Sequence, residues 1–150
     1  DKFFLMLLPD DLIIKRNCSK DMILVHKKYN CSVMASMNVK RNTVKRWGIY
    51  SKEKKINKNN FFIKDVVEKP EIKYAPSNSA VIGRYILSKD IFKKLKNQKK
   101  GKGGEIRITD SIKRLIESGH KIIGHNFSGK YLDCGTMKGY INSSMEISKL

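Results

Sequence analysis

The chain has 150 residues, of which 40% are apolar and 31% charged, enough for one domain with a proper core and too apolar for a disordered polymer. Its 32 basic side chains against 14 acidic ones give a formal charge of +18, which suggests a polyanionic partner. The excess is 26 Lys against six Arg, and the basic runs 51–60 and 93–102 hold no aromatic ring for stacking a base, which argues for solvated surface over nucleic-acid readout.

The first predicted element is Phe3 to Leu8, six consecutive apolar residues that run into Pro9, Asp10 and Asp11. Such a run predicts a strand buried on both faces, in the middle of a sheet. With only Asp1 and Lys2 ahead of it, the sheet is expected to lack its first strands. A short helix over 20–29 follows, with Ser19 or Asp21 at its N-terminus, and residues 31–39 read as the next strand, making a β-α-β unit. Further strands are expected over 46–50, 61–68 and 79–87, separated by the polar, turn-rich pieces 51–60 and 70–78. A basic amphipathic helix over 89–97 is broken by the glycines of 101–104. A second helix over 105–118 places Ile108, Ile112, Leu115 and Ile116 at three-and-four spacing. A strand over 121–127 and a helix over 139–150 complete an α/β pattern with a mixed sheet.

Several function classes fall away at this stage. Cys18, Cys31 and Cys134 are odd in number and lack CxxC spacing, so neither a disulfide framework nor a zinc site is indicated, and a reducing cytoplasm fits. His26, His120 and His125 are too scattered for a metal cluster and read as structural. The leading apolar run is too short to span a bilayer, and a soluble protein is expected.

The candidate chemistry lies at strand ends, where open α/β sheets bind their ligands. Asp10 and Asp11 follow the first strand, and Asp133 in GKYLDCGT (129–136) leaves another short apolar run. Two carboxylates from distant strand ends, completed by water and substrate phosphate, are how Mg²⁺ is commonly held; paired aspartates after a strand also serve as turn or capping residues. In VVEKP (66–70), Glu68 can accept from sugar hydroxyls and Lys69 can hold a phosphate, provided the strand ends or bulges there. The alternative for that pair is a solvated surface contact.

Taken in order, LLPDD (7–11), RWGIY (46–50), VVEKP (66–70), APSNSAVIGRYIL (75–87), GGEIRITDSI (103–112) and YLDCGTMKGY (131–140) resemble the bacterial UTP:glucose-1-phosphate uridylyltransferases over nearly the whole chain. The related thymidylyltransferases share similar strand ends, but the Pro-Asp-Asp, Ala-Pro-Ser-Asn and Asp-Cys-Gly wording is closer to the uridylyl branch. The resemblance implies a mixed-sheet, Rossmann-like nucleotide-diphospho-sugar transferase fold, with residues 1–150 as the C-terminal portion of a single nucleotidyltransferase domain. It implies Asp10 and Asp133 as Mg²⁺ ligands, Glu68 as the sugar-hydroxyl ligand and Lys69 as the ligand of the glucose 1-phosphate phosphate. Gly48 and Gly83 match glycines lining the sugar pocket. Asp11 is read as a turn or capping residue, and Glu105, Thr109 and Asp110 as capping and packing.

The implied reaction joins UTP and glucose 1-phosphate into UDP-glucose and pyrophosphate, with Asp10, Lys69 and Asp133 as its catalytic residues. The family's glycine-rich phosphate loop has no counterpart in the 150 residues, so the donor half of the site is expected to be missing and the chain alone inactive. Trp47 stands where the family usually has Tyr, and Arg107 where it has Gln. A homo-oligomer in the cytoplasm is expected of the full-length protein. The alternatives are a noncatalytic fragment that binds sugar phosphate or mediates oligomerisation, and a basic nucleic-acid-binding module.

Overall fold

The computed structural model describes residues 2–99 and 104–150. Among the described residues there are eight strands: β1 (Phe3–Leu7), β2 (Asp11–Ile14), β3 (Ser32–Asn38), β4 (Gly48–Lys55), β5 (Asn60–Glu68), β6 (Ser79–Ser88), β7 (Ile122–Asn126) and β8 (Lys130–Asp133). The helices are α1 (Cys18–Tyr29), α2 (Ile91–Lys96), α3 (Ile108–Glu117) and α4 (Met137–Ile147), with 3₁₀ turns at Arg41–Arg46 and Ile72–Tyr74. Six strands form one sheet in the order β1-β6-β3-β7-β5-β4, while β2 and β8 make a separate two-stranded ribbon. β3 and β7 run parallel and the other pairings in the large sheet are antiparallel, so the expected mixed α/β sheet is present. The β-α-β unit is split: β1 and β3 both run antiparallel to β6, which lies between them.

Both faces of the centre of this sheet are covered. Along β3, Met34 turns to one face, with Phe61, Tyr85, Leu87, Ile112 and Leu115, while Val33 and Ala35 turn to the other, with Cys18, Met22, Ile82, Ile86 and Ile123. Period-two alternation between two buried faces is why these strands read as nearly unbroken apolar runs. At the mid-sheet crossing of β5 and β7, Phe61 lies opposite Gly124, and a Cβ on that glycine would come within 2.3 Å of the Phe61 ring. Tyr50, fully buried, spends its hydroxyl on the Ala35 carbonyl at 2.9 Å.

The helices begin and end for local reasons. Asn17, rather than Ser19 or Asp21, caps α1 by accepting from the Lys20 N–H at 3.0 Å, and Asn30 ends it in the left-handed region at φ 48°. The predicted helix over 105–118 starts later, at Ile108, because Arg107 is still extended. α2 is confined to six residues, and α4 starts at Met137 because Thr136 accepts from the Gly139 N–H at 3.0 Å. The glycines of 101–103 lie outside the described residues.

Two expectations are corrected. β1 is an edge strand of the described sheet, paired with β6 alone, and its Leu5 and Leu7 are 40% and 50% exposed. The apolar run therefore carries more hydrophobic surface than the described neighbours cover. The polar stretch 51–60 is not simply a turn: Ser51 to Lys55 extend β4 against β5, and only the tip bends, where Asn57 accepts from the Asn59 and Asn60 amides at 3.0 and 2.9 Å. Lys52 lays its ammonium 4.6 Å from the Phe61 ring centroid, so pairing and stem packing override a composition that reads as loop.

Two predictions concern this core. Gly124→Ala is expected to destabilise by about 1–3 kcal/mol through overpacking against buried Phe61, read as a lower urea midpoint at unchanged m-value. Burial holds the His125 imidazole, which is bonded to Asn60 Oδ1 at 2.8 Å, below its ordinary value of 6.5. The unfolded chain then binds this proton more readily, so the His125 contribution to stability is present above pH 6.5 and is lost as pH falls below it. A His125→Gln variant is expected to show a shallower loss of stability between pH 7 and the acid limb, and an unchanged slope would contradict the assignment.

Candidate active site

The residue pattern that places β1 also places the first carboxylates, because Pro9 ends the strand and turns the chain into β2. The Leu8 N–H donates to the Gly83 carbonyl at 2.9 Å, and Asp11 Oδ2 accepts the Gly83 N–H at 2.6 Å. Tyr131 donates its hydroxyl to Asp11 Oδ1, and Arg84 donates to the carbonyls of Leu8, Gly83 and Asp11. Asp11 is thus a bonded corner between β6 and β8, not a turn residue. Gly83 is required there because a Cβ would meet Asp11 Oδ2 at 2.5 Å and Leu8 Cβ at 2.6 Å.

With Asp11 fixed, β2 pairs with β8 so that Asp11 faces Asp133. The Cys134 N–H donates to the Asp10 carbonyl at 2.7 Å, which brings Asp10 next to the loop after β8. A Cβ on Gly135 would lie 2.7 Å from Asp10 Oδ2 and 3.4 Å from Asp133 Oδ1, so the two predicted metal ligands converge on the space that this glycine leaves open. Among the described residues no group of three or more His, Cys, Asp or Glu converges. Two carboxylates with open positions are the donor set that Mg²⁺ takes, the remaining ligands being water and phosphate oxygens, so the residues present fit this ion. Asp133 also accepts the Gly135 N–H on Oδ1 at 3.0 Å and the Arg46 guanidinium on Oδ2 at 3.2 Å.

The opposite wall comes from the β4–β5 hairpin. Gly48 pairs with Glu68, and a Cβ there would stand 3.2 Å from Glu68 Oε2 and 3.1 Å from Val81 Cγ2. β5 stops at Glu68, and Lys69 adopts φ 45° while its N–H donates to the Trp47 carbonyl at 3.0 Å. The strand end that Pro70 suggests is therefore real, and it turns both Glu68 and Lys69 into one cleft of about 340 Å³. That volume lies within the roughly 300–1,000 Å³ typical of small-molecule sites. Leu8, Asp11, Arg46, Gly83, Tyr85 and Thr109 also line it.

Four of the predicted residues, Gly48, Glu68, Lys69 and Gly83, thus line one cleft, with Asp10 and Asp133 converging beside Gly135 and linked to it through Asp11 and Arg46. Tyr85 and Tyr131 are held protonated above the ordinary phenol range, first by burial and then by the carboxylates beside them, which for Tyr131 includes its hydrogen bond to Asp11. Burial pushes the Cys18 and Cys31 thiols up to about 11, which leaves both as poor nucleophiles.

Sequence reasoning passes over Arg46 and reads Glu105 and Thr109 as capping and packing. Glu105 and Thr109 line the cleft, and no side chain caps the start of α3. Asp110 sits in the first turn of that helix and receives the Gln98 amide at 3.4 Å. Thr109 is only 9% exposed, and its hydroxyl has no hydrogen-bond partner among the described residues. The stretch GGEIRITDSI that contains Thr109 was visible in sequence, but its place in the cleft depends on α3 packing against β5. A larger cleft of about 610 Å³ lies at the opposite end of the strands, between Phe3, Tyr29, Lys89 and Lys121, where His120 and Asp90 already pair with each other at 3.5 Å. No helix among the described residues is long and apolar enough to cross a membrane.

Comparison with known proteins agrees with this fold. A UTP–glucose-1-phosphate uridylyltransferase of Pseudomonas aeruginosa is 38% identical over 149 residues, covering 96% of this chain and 52% of the relative. One from Komagataeibacter xylinus is 38% identical over 135 residues, covering 89% of this chain and 46% of the relative. A UDP-glucose pyrophosphorylase solved in complex with UDP-glucose superposes with a TM-score of 0.91 at 40% identity, over 99% of this chain and 57% of that one. The chain therefore spans about half the length of the curated relatives it matches. The Nucleotidyl transferase family model matches residues 1–149, and with both faces of the sheet and the strand-end carboxylates in place, the chain belongs to the nucleotidyl transferase family.

Proposed function

We propose that a polypeptide containing this chain forms UDP-glucose and pyrophosphate from UTP and glucose 1-phosphate, and that these 150 residues are the C-terminal portion of its single catalytic domain, carrying the sugar-phosphate and metal side of the site. The observation that carries the reading is the meeting of Glu68 and Lys69 in one cleft beside the converging carboxylates of Asp10 and Asp133. The relatives named above support the choice of substrates.

In this reading a phosphate oxygen of glucose 1-phosphate attacks the α-phosphorus of UTP, the bond to the β-phosphate breaks, and pyrophosphate carries away the electron pair. No protein nucleophile takes part. Glu68 accepts hydrogen bonds from sugar hydroxyls, and Lys69 holds the sugar phosphate with its ammonium group. Fixed at a strand end, the pair orients the attacking oxygen and so lowers the entropic part of the barrier. Asp10 and Asp133 would hold Mg²⁺, which when bound neutralises charge on the phosphates. Thr109 lines the cleft, and its buried hydroxyl, without a partner among the described residues, is available to a substrate that reaches it. The surplus of lysine raises the local concentration of anionic substrates within about 8 Å at physiological salt. Cytoplasmic action and self-association complete the reading. Self-association is supported by the exposed apolar side chains Met137, Tyr140, Ile141 and Met145 on α4.

The test is pyrophosphate release from UTP and glucose 1-phosphate with Mg²⁺, run on the 150-residue chain and on the reading frame that contains it. Activity is expected in the longer protein and not in the chain alone; its absence from both would favour a noncatalytic sugar-phosphate binder. In the active protein, Asp10→Asn and Asp133→Asn are each expected to lower kcat at least about 100-fold. Lys69→Ala is expected to raise KM for glucose 1-phosphate about tenfold or more. Near-normal turnover in either aspartate variant would refute the metal assignment. Thr109→Val removes a hydroxyl with no protein partner, so it is expected to leave the melting temperature unchanged or higher while weakening substrate use; a fall in both would show that the hydroxyl serves the fold.

A further inference from the structure

Arg46 lies at the end of the 3₁₀ turn Arg41–Arg46, and its guanidinium meets Asp133 Oδ2 at 3.2 Å while the Gly135 N–H occupies Oδ1. The arginine side chain is 57% exposed and that of Asp133 29% exposed, so the pair sits at the rim and not in the core. Exposed pairs of this kind are weak and easily exchanged. The guanidinium also lies 5.6 Å from the centroid of the Trp47 ring, a second place to rest when it leaves the carboxylate. Trp47 in turn packs edge-on against Tyr131 at 5.7 Å and accepts the Lys69 N–H, so the segment that carries Arg46 is anchored to both walls of the cleft.

We propose that Arg46 is a resident counter-ion of the metal site: it holds Asp133 in place while no cation is bound and is displaced from Oδ2 when a divalent cation arrives. This rests on the reading of Asp10 and Asp133 as cation ligands. The physical logic is competition for one carboxylate oxygen. An arginine that must be moved, and that then stands beside a dication as a like charge, lowers the affinity for that cation on both counts. In exchange, Asp133 is neutralised and aimed before the ion enters, which keeps the two carboxylates from repelling each other. Once released, the guanidinium remains on the lining of the cleft that Lys69 shares, facing the space for an anionic substrate.

The experiment is titration of the intact protein with Mn²⁺, without nucleotide or sugar phosphate, following the signal of the free ion by electron paramagnetic resonance. Wild type, Arg46→Gln, Arg46→Lys and Asp133→Asn are compared, with melting curves to establish that each is folded. Loss of the weak pair is expected to tighten Mn²⁺ binding about two- to fivefold in Arg46→Gln. Arg46→Lys, which keeps the charge, is expected to stay near wild type, and Asp133→Asn to weaken binding at least about tenfold. If Asp133→Asn weakens binding but Arg46→Gln leaves it unchanged or weaker, the counter-ion role is overturned and the metal reading stands. If Asp133→Asn binds Mn²⁺ as wild type does, the metal reading falls, and the role of Arg46 with it.

Discussion

The Asp11 carboxylate is the contact on which the cleft depends. One oxygen takes the amide of Gly83 in the middle of β6, and the other takes the phenol of Tyr131 on β8. A partly buried carboxylate is costly unless its lone pairs are met, and here both oxygens have donors while Arg84 fastens the surrounding carbonyls. The β2–β8 ribbon thereby becomes attached to a large sheet with which, among the described residues, it shares no ladder. Asp10 and Asp133 reach a common space through the ribbon's own ladder and the Cys134 N–H bond to the Asp10 carbonyl, and the attachment sets that space beside the cleft.

The other wall uses backbone conformation instead of a buried charge. A left-handed residue at Lys69 is costly for a side chain with a Cβ, and the Trp47 carbonyl holds it there through the Lys69 amide. The result is that neighbouring residues in sequence, which a continuing strand would send to opposite faces, both address the cleft. Gly48 leaves the Glu68 carboxylate close to the floor, where a Cβ would crowd it and Val81. Charged groups are thus fixed by the fold itself, as the proposed phosphoryl transfer without a protein nucleophile would need.

How much of this was legible in the sequence differs from residue to residue. The carboxylate after Leu8-Pro9, the Glu-Lys pair before Pro70 and Asp133 before Cys134-Gly135 stood out because strand ends carry chemistry in open α/β sheets, and the structure brings them to one region. Asp11 was read as a turn residue because its partners, Gly83 and Tyr131, are 72 and 120 positions away. Ser51 to Lys55 read as loop because their composition is polar, yet β5 supplies a hydrogen-bonding partner that composition does not register. Asn17 was missed as a cap because Ser19 and Asp21 offered equally suitable side chains within the same turn.

By itself, then, the sequence determined the α/β character and the strand-end positions of the charged residues, since period, turn residues and apolar runs are local properties of the chain, whereas the two-faced burial it placed on the first strand belongs to the central ones. Only the tertiary structure decided that β1 takes an edge of the described sheet, that β6 lies between β1 and β3, that Arg46 pairs with Asp133, and that the Thr109 hydroxyl is buried against the cleft without a partner. Each of those is a contact between residues far apart in the chain, and no local pattern carries the register in which distant strands and helices meet.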